Sequence, residues 1–158
     1  MLEVGQKAPE FTLLDKDSNE VKLSDFRGKK VVVYIYPRDN TPGCTAQACN
    51  YRDRYQDFKD KDIVVIGVSK DGIKSHNKFI DNYSLPFILL SDEDHKMIEA
   101  YGSWQLKKMY GKEYMGVVRS TFLIDEEGTL LYVNYKPKTK TDADDILKRI
   151  DENTNITN

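Results

Sequence analysis

Apolar and polar residues alternate through residues 11–14 and again through 21–26, with the turn formers Lys16, Asp17, Ser18 and Asn19 between them. This pattern predicts a β-hairpin over residues 10–26. After Arg27 and Gly28 comes a β-branched and aromatic run, residues 30–36, that stops at Pro37 and predicts a buried central strand. Residues 45–59 place Ala48, Tyr51, Tyr55 and Phe58 at spacings of three and four, the signature of a helix with one apolar face. A second buried strand is expected over 62–69. A helix follows over 72–84, with Ile73, Phe79, Ile80 and Tyr83 in register and Pro86 beyond its end. Residues 87–92 predict a third strand, and 92–102 a short helix with acids at its start and Gly102 at its close.

Residues 103–118 show no clean period and contain Gly111 and Gly116, so they are expected to be a long loop with helical turns. Residues 119–125 and 129–135 predict a second hairpin that turns at Gly128. Residues 139–153 close the chain as a helix, with Asp142, Asp144 and Asp145 near its start and Lys148 and Arg149 later, the order a helix dipole favours. Strands that alternate with helices, followed by a hairpin and a last helix, predict an α/β fold with a mixed central sheet flanked by helices and an N-terminal β-hairpin. Residues 1–152 read as one domain, and 153–158 as a polar tail.

Composition narrows the function more than the fold. A chain of 158 residues is long enough to bury one core without staples. The formal net charge of −2 argues against a general polyanion binder, so nucleic acid is set aside. There is no membrane-length apolar run, and the N-terminus lacks a basic segment followed by an apolar one, so the expected location is the cytoplasm. The two cysteines do not suggest a disulfide framework in a domain of this size. In a reducing compartment such a pair is more often catalytic, redox-active or metal-binding.

Both cysteines, Cys44 and Cys49, lie in the stretch from Pro37 to Cys49, "PRDNTPGCTAQAC". Cys44 follows a strand, a polar loop and the turn pair Pro42-Gly43, which places its thiol in the first turn of the predicted helix. Unpaired backbone N–H groups and the positive end of the dipole favour an anion there, and a cysteine so placed is shifted toward its reactive thiolate. The hydroxyl of Thr41, three residues earlier, can reach the sulfur or a substrate oxygen beside it. Each feature also has a plain structural explanation: Cys44 as a buried small hydrophobe, Thr41 as a helix cap, Pro42-Gly43 as a turn.

The combination resembles the Pro-x-x-x-Thr-x-x-Cys motif of peroxiredoxins, carried here by Pro37, Thr41 and Cys44. The wider "YPRDNTPGCTAQACNYRD" is similar to the bacterioferritin comigratory protein, or peroxiredoxin Q, subfamily. Matching pieces at "VGQKAPEFTLLD", "YGSW", "KKMYGKEYMG" and "RSTFLID" extend the likeness to about residue 150. The resemblance implies a thioredoxin-like fold and thiol-dependent reduction of hydrogen peroxide and organic hydroperoxides, in antioxidant defence, without a metal or other cofactor. It implies that Cys44 is the peroxidatic nucleophile, that Thr41 holds the peroxide and that Pro37 shields the site. Arg119 would favour the thiolate and orient the peroxide oxygens, and backbone N–H groups around Gly43 would complete the substrate site. From the sequence alone, Arg119 reads more simply as a solvated strand-end residue.

The resemblance further makes Cys49 the resolving cysteine, which closes a Cys44–Cys49 disulfide that thioredoxin reduces. Residues five apart in a regular helix are separated by roughly 8 to 9 Å between Cα atoms, whereas a disulfide needs less than about 7 Å. The pair can therefore close only after the helix unwinds. An intramolecular resolving thiol needs no second subunit, so a monomer is expected. Gln105 and Leu106 after Trp104, and Asn50 and Tyr51 after Cys49, depart from the subfamily pattern. Two other readings stay open. One is a thiol-disulfide oxidoreductase, whose usual Cys-x-x-Cys this chain lacks. The other is a non-enzymatic zinc module built from Cys44, Cys49, His76 and His95, although both histidines read more simply as surface residues.

Overall fold

The structure is a computed structural model that describes the backbone of residues 1–157 and the side chains of residues 1–152. Strands β1 (Thr12–Leu14) and β2 (Glu20–Lys22) form the expected N-terminal hairpin, which a short 3-10 turn at Leu23–Phe26 leads out of. Next come β3 (Lys30–Ile35), α1 (Pro42–Asp53), α2 (Tyr55–Asp60), β4 (Ile63–Ser69), α3 (Ile73–Tyr83), β5 (Ile88–Ser91) and α4 (Lys96–Ala100). The chain continues with β6 (Trp104–Met109), β7 (Lys112–Val117), β8 (Ser120–Ile124), β9 (Leu130–Asn134) and α5 (Asp142–Thr157).

Seven strands make one mixed sheet in the order β2-β1-β5-β4-β3-β8-β9. The pairs β3–β4 and β4–β5 are parallel, while β1–β2, β1–β5, β3–β8 and β8–β9 are antiparallel, so β3 and β5 each sit at a junction between the two senses. Its unbroken apolar run is explained by two cores. Val32, Tyr34 and Tyr36 face one, with α1 and α5, while Val31, Val33 and Ile35 face the other, with Phe11, Met97, Tyr101 and Phe122. A strand covered on both faces needs no polar alternation. Among the described residues no helix is long and apolar enough to cross a membrane.

Four expectations need correction. The single helix expected over 45–59 is two, divided at Arg54, which takes φ −103° and ψ 6° and turns its guanidinium onto Asp144. The short helix expected over 92–102 is confined to Lys96–Ala100. Residues 103–118 are not a loop. They are a two-stranded antiparallel ribbon, β6–β7, that turns at Tyr110 (φ 52°) and Gly111 (φ 76°) and stands apart from the main sheet. Exposure along both of its strands erases the period-2 signal, and Tyr110 fills a turn position where asparagine or glycine is usual. Finally, α5 continues through Thr157, so the backbone of the expected tail is helical up to there.

Candidate active site

The candidate site lies where β3 ends. Pro37 cannot donate to the sheet, and the chain leaves it in a loop of residues 37–41 in which Asn40 takes φ 61°. Thr41 stands at the N-cap of α1 with extended backbone, and Pro42 opens the helix, where its missing N–H costs nothing. The first intrahelical bond runs from the Thr45 N–H to the Thr41 carbonyl at 2.8 Å. The N–H groups of Gly43 and Cys44 precede it and have no partner within the helix. Cys44 is therefore in the first turn, as the sequence predicts, and is only 1% exposed.

A register position brings in the cation. Ile35 pairs with Ser120 across β3 and β8, so Arg119, one residue earlier, enters beside the end of β3. Its Nη2 donates to Cys44 Sγ at 3.3 Å, and its Nη1 donates to Gln47 Oε1 at 2.6 Å. Gln47 in turn donates from Nε2 to Asp142 Oδ2 at 3.0 Å, and the same oxygen accepts Tyr51 OH and Thr121 Oγ1, each at 2.7 Å. The guanidinium is thus half-buried and braced by a chain of buried polar groups. Burial raises the Asp142 carboxyl above its ordinary value, against the lowering effect of its three donors. Burial, followed by the charge of Cys44, also holds the Tyr34 hydroxyl well above its ordinary range; its ring stacks on Tyr51 with centroids 4.6 Å apart.

The remaining predicted residues fall around this centre. The Thr41 hydroxyl does not cap α1. It donates to the Arg38 carbonyl at 2.9 Å, so its lone pairs are available to accept. A Cβ on Gly43 would stand 3.3 Å from Arg119 Nη2, so the glycine lets the guanidinium approach the helix end. Cys49 lies on the same helix, half-buried, and both cysteines are free thiols. His76 and His95 do not join them, and among the described residues no group of three or more His, Cys, Asp and Glu side chains could hold a metal ion. His76 is not the surface residue expected. It is fully buried and bonded to Asp39.

Sequence reasoning missed Gln47, Tyr51, Thr121 and Asp142 as parts of the site. Asp142 reads as one of three acids at a helix start, and nothing local shows that it points into the core. Gln47 leaves a trace, because it shares the buried face of α1 with Cys44, Ala48 and Tyr51, where a polar residue needs a partner.

The chain is similar to known proteins in both sequence and fold. The AhpC/TSA family profile matches residues 4–133. The chain is 49% identical to "Peroxiredoxin Bcp" of Bacillus subtilis over 149 residues, 94% of this chain and 95% of that one. It is 42% identical to "Peroxiredoxin Bcp" of Escherichia coli, over 96% and 97% of the two chains. Among solved structures, a peroxiredoxin Q mutant from Xanthomonas campestris superposes with a TM-score of 0.86 at 32% identity, covering 90% and 91% of the two chains. A PrxQ mutant from Xylella fastidiosa gives 0.91 at 28% identity over 98% of each. The thioredoxin-like fold, the helix-end thiol and these likenesses agree: the chain belongs to the AhpC/TSA family, in the bacterioferritin comigratory protein (peroxiredoxin Q) group of thiol peroxidases.

Proposed function

We propose that Cys44 is the peroxidatic nucleophile of a cycle that reduces hydrogen peroxide and organic hydroperoxides, closes through a Cys44–Cys49 disulfide, and is reset by thioredoxin. The observation that carries this reading is the Arg119 guanidinium 3.3 Å from a buried sulfur in the first turn of α1. A sulfur anion there meets a full positive charge and the N–H groups of Gly43 and Cys44 in a site with little water, where such interactions are strongest. The thiolate attacks one peroxide oxygen, the O–O bond breaks, and the other oxygen leaves with its electron pair and takes a proton to become water or an alcohol. Cys44 is left as a sulfenic acid. Thr41 accepts the peroxide O–H, while Arg119 and the backbone N–H groups donate to the oxygens on which charge develops. Pro37 covers the approach from the β3 side.

The second half-reaction requires a change of shape. With α1 intact the cysteine Cα atoms are roughly 8 to 9 Å apart, too far to bond. Residues around Cys44 must leave the helix before the Cys49 thiolate can attack the sulfenic sulfur and expel its oxygen as water. An external dithiol then reduces the disulfide. Because both thiols belong to one chain, a monomer is sufficient for the cycle. The test is a peroxidase assay coupled to thioredoxin, thioredoxin reductase and NADPH. Wild type should turn over, Cys44→Ser should be inactive, and Cys49→Ser should consume one equivalent of peroxide and stop. Insulin reduction without peroxide turnover would instead identify a thiol-disulfide oxidoreductase.

A further inference from the structure

The loop that precedes Thr41 is fastened by a buried group to which the reaction above gives no role. Asp39, 5% exposed, accepts Tyr36 OH on Oδ1 at 2.6 Å and Ser75 Oγ on Oδ2 at 2.8 Å. Its Oδ2 also lies 2.7 Å from Nδ1 of the fully buried His76. The other ring nitrogen of His76, Nε2, faces the Leu90 carbonyl at 3.0 Å, so both ring nitrogens are engaged. The Asp39 N–H donates to Asp71 Oδ2 at 2.8 Å, and Asp71 is held by Ser69 Oγ at 2.7 Å. One residue is thus tied to Tyr36 just beyond β3, to the β4–α3 connection and to α3. A half-satisfied network of this kind is costly, and a satisfied one fixes a single geometry.

The fixed geometry is that of the substrate-holding hydroxyl. Thr41 Oγ1 donates to the carbonyl of Arg38, the residue before Asp39, so the position of that carbonyl aims the lone pairs of Thr41. Between the clamp and Thr41 stands Asn40 at φ 61°, a left-handed turn that asparagine adopts more readily than most side chains. We propose that Asp39 and His76 are positioning residues of the peroxidase: through the Arg38 carbonyl they orient Thr41 toward the peroxide. They touch neither Cys44 nor its arginine. The proposal rests on the peroxidase reading and adds residues to it.

The experiment measures two rate constants on the reduced protein, for hydrogen peroxide and for iodoacetamide at Cys44. Iodoacetamide alkylation needs the sulfur but has no peroxide oxygens for Thr41 to hold. Asp39→Asn and His76→Asn should each lower the peroxide constant by about tenfold or more, as small misplacements of a substrate-holding group do, and should leave alkylation within about twofold. Combined with Thr41→Val, Asp39→Asn should cost little beyond Thr41→Val alone, because it acts through the hydroxyl already removed. Equal losses toward both reagents, full additivity with Thr41→Val, or an unchanged peroxide constant would overturn the proposal. If Asp39→Asn shows no folded state by circular dichroism, Ser75→Ala, which removes one bond to the same oxygen, must give a smaller loss of the same pattern. A Ser75→Ala protein with wild-type peroxide reactivity would likewise overturn it. A wild type inert to peroxide would refute the parent reading instead, so the two failures are distinct.

Discussion

At the scale of single residues, the site depends on how closely Arg119 approaches the end of α1. Two contacts set that approach: Nη2 on the Cys44 sulfur and Nη1 on Gln47. Lysine can supply a charge but not both directed bonds, so Arg119→Lys should lower the peroxide rate constant by about 10- to 100-fold in stopped-flow measurements. Near wild-type rates would show that the guanidinium geometry is irrelevant. Gly43→Ala tests the same approach from the other side. Its Cβ would press on Nη2 at 3.3 Å, and the bond to Gln47 leaves the guanidinium little freedom to yield. A loss of about tenfold with little change in thermal stability is expected, since a misplaced catalytic group costs rate before it costs fold. At this scale the sequence is highly informative about Cys44, Thr41 and Gly43, which sit in one short stretch. Its silence on Asp142 has a physical origin, because that residue meets Gln47 and Tyr51 across more than ninety positions of chain.

At the scale of elements, the proposed cycle requires α1 to be both firm and able to open. Its first turns hold Cys44 and are tied down by Gln47, while its later part is anchored to α5. There Asn50 donates to Asp144 at 2.9 Å and accepts the Ala143 N–H at 2.6 Å. Removing the tie at Gln47 should therefore have opposite effects on the two half-reactions. Gln47→Ala frees Arg119, which slows sulfenic acid formation, yet it unfastens the segment that must unwind, which hastens disulfide closure. Single-turnover kinetics with one equivalent of peroxide, followed by mass spectrometry of quenched samples, will separate the steps. Slowing of both would refute the division of labour. Helix existence was legible here, because spacings of three and four mark it plainly. The break at Arg54 was not, because Ala48, Tyr51, Tyr55 and Phe58 keep spacings of three and four across it. The ribbon β6–β7 was hidden for another reason: beyond Trp104 and Val117 at its base it is largely open to solvent, so neither face selects apolar residues.

At the scale of the whole molecule, the sheet buries a polar cluster beside its reactive end, and the fold carries the electrostatic cost. The Asp142 carboxyl has its pKa raised above the unfolded value of 3.8, chiefly by burial. The folded state therefore holds that proton more tightly than the unfolded chain. Its contribution to stability falls as pH rises from 3.8 through the folded-state value. Asp142→Asn keeps an oxygen for its three donors and removes the titration. Wild-type stability relative to this variant should thus decline as pH is raised from 3.8 through the folded-state value in urea titrations. A constant difference across that range would refute the assignment. Asp144, lowered by Arg54 and Asn50, works in the opposite sense: it adds stability above 3.8 that is lost as pH falls through its folded-state value. The global architecture was the most legible level of all, because strands covered on both faces and helices with apolar stripes leave few alternatives. Placing both thiols on one short helix also bears on how the reductant lets go. In the proposed cycle the oxidised chain offers an unwound segment for a dithiol partner to grip, and reduction allows that segment to recoil and Cys44 to return to its 1% exposure. In that cycle the partner's handhold would disappear with the bond it came to cut, and refolding of the enzyme itself would drive release of the product.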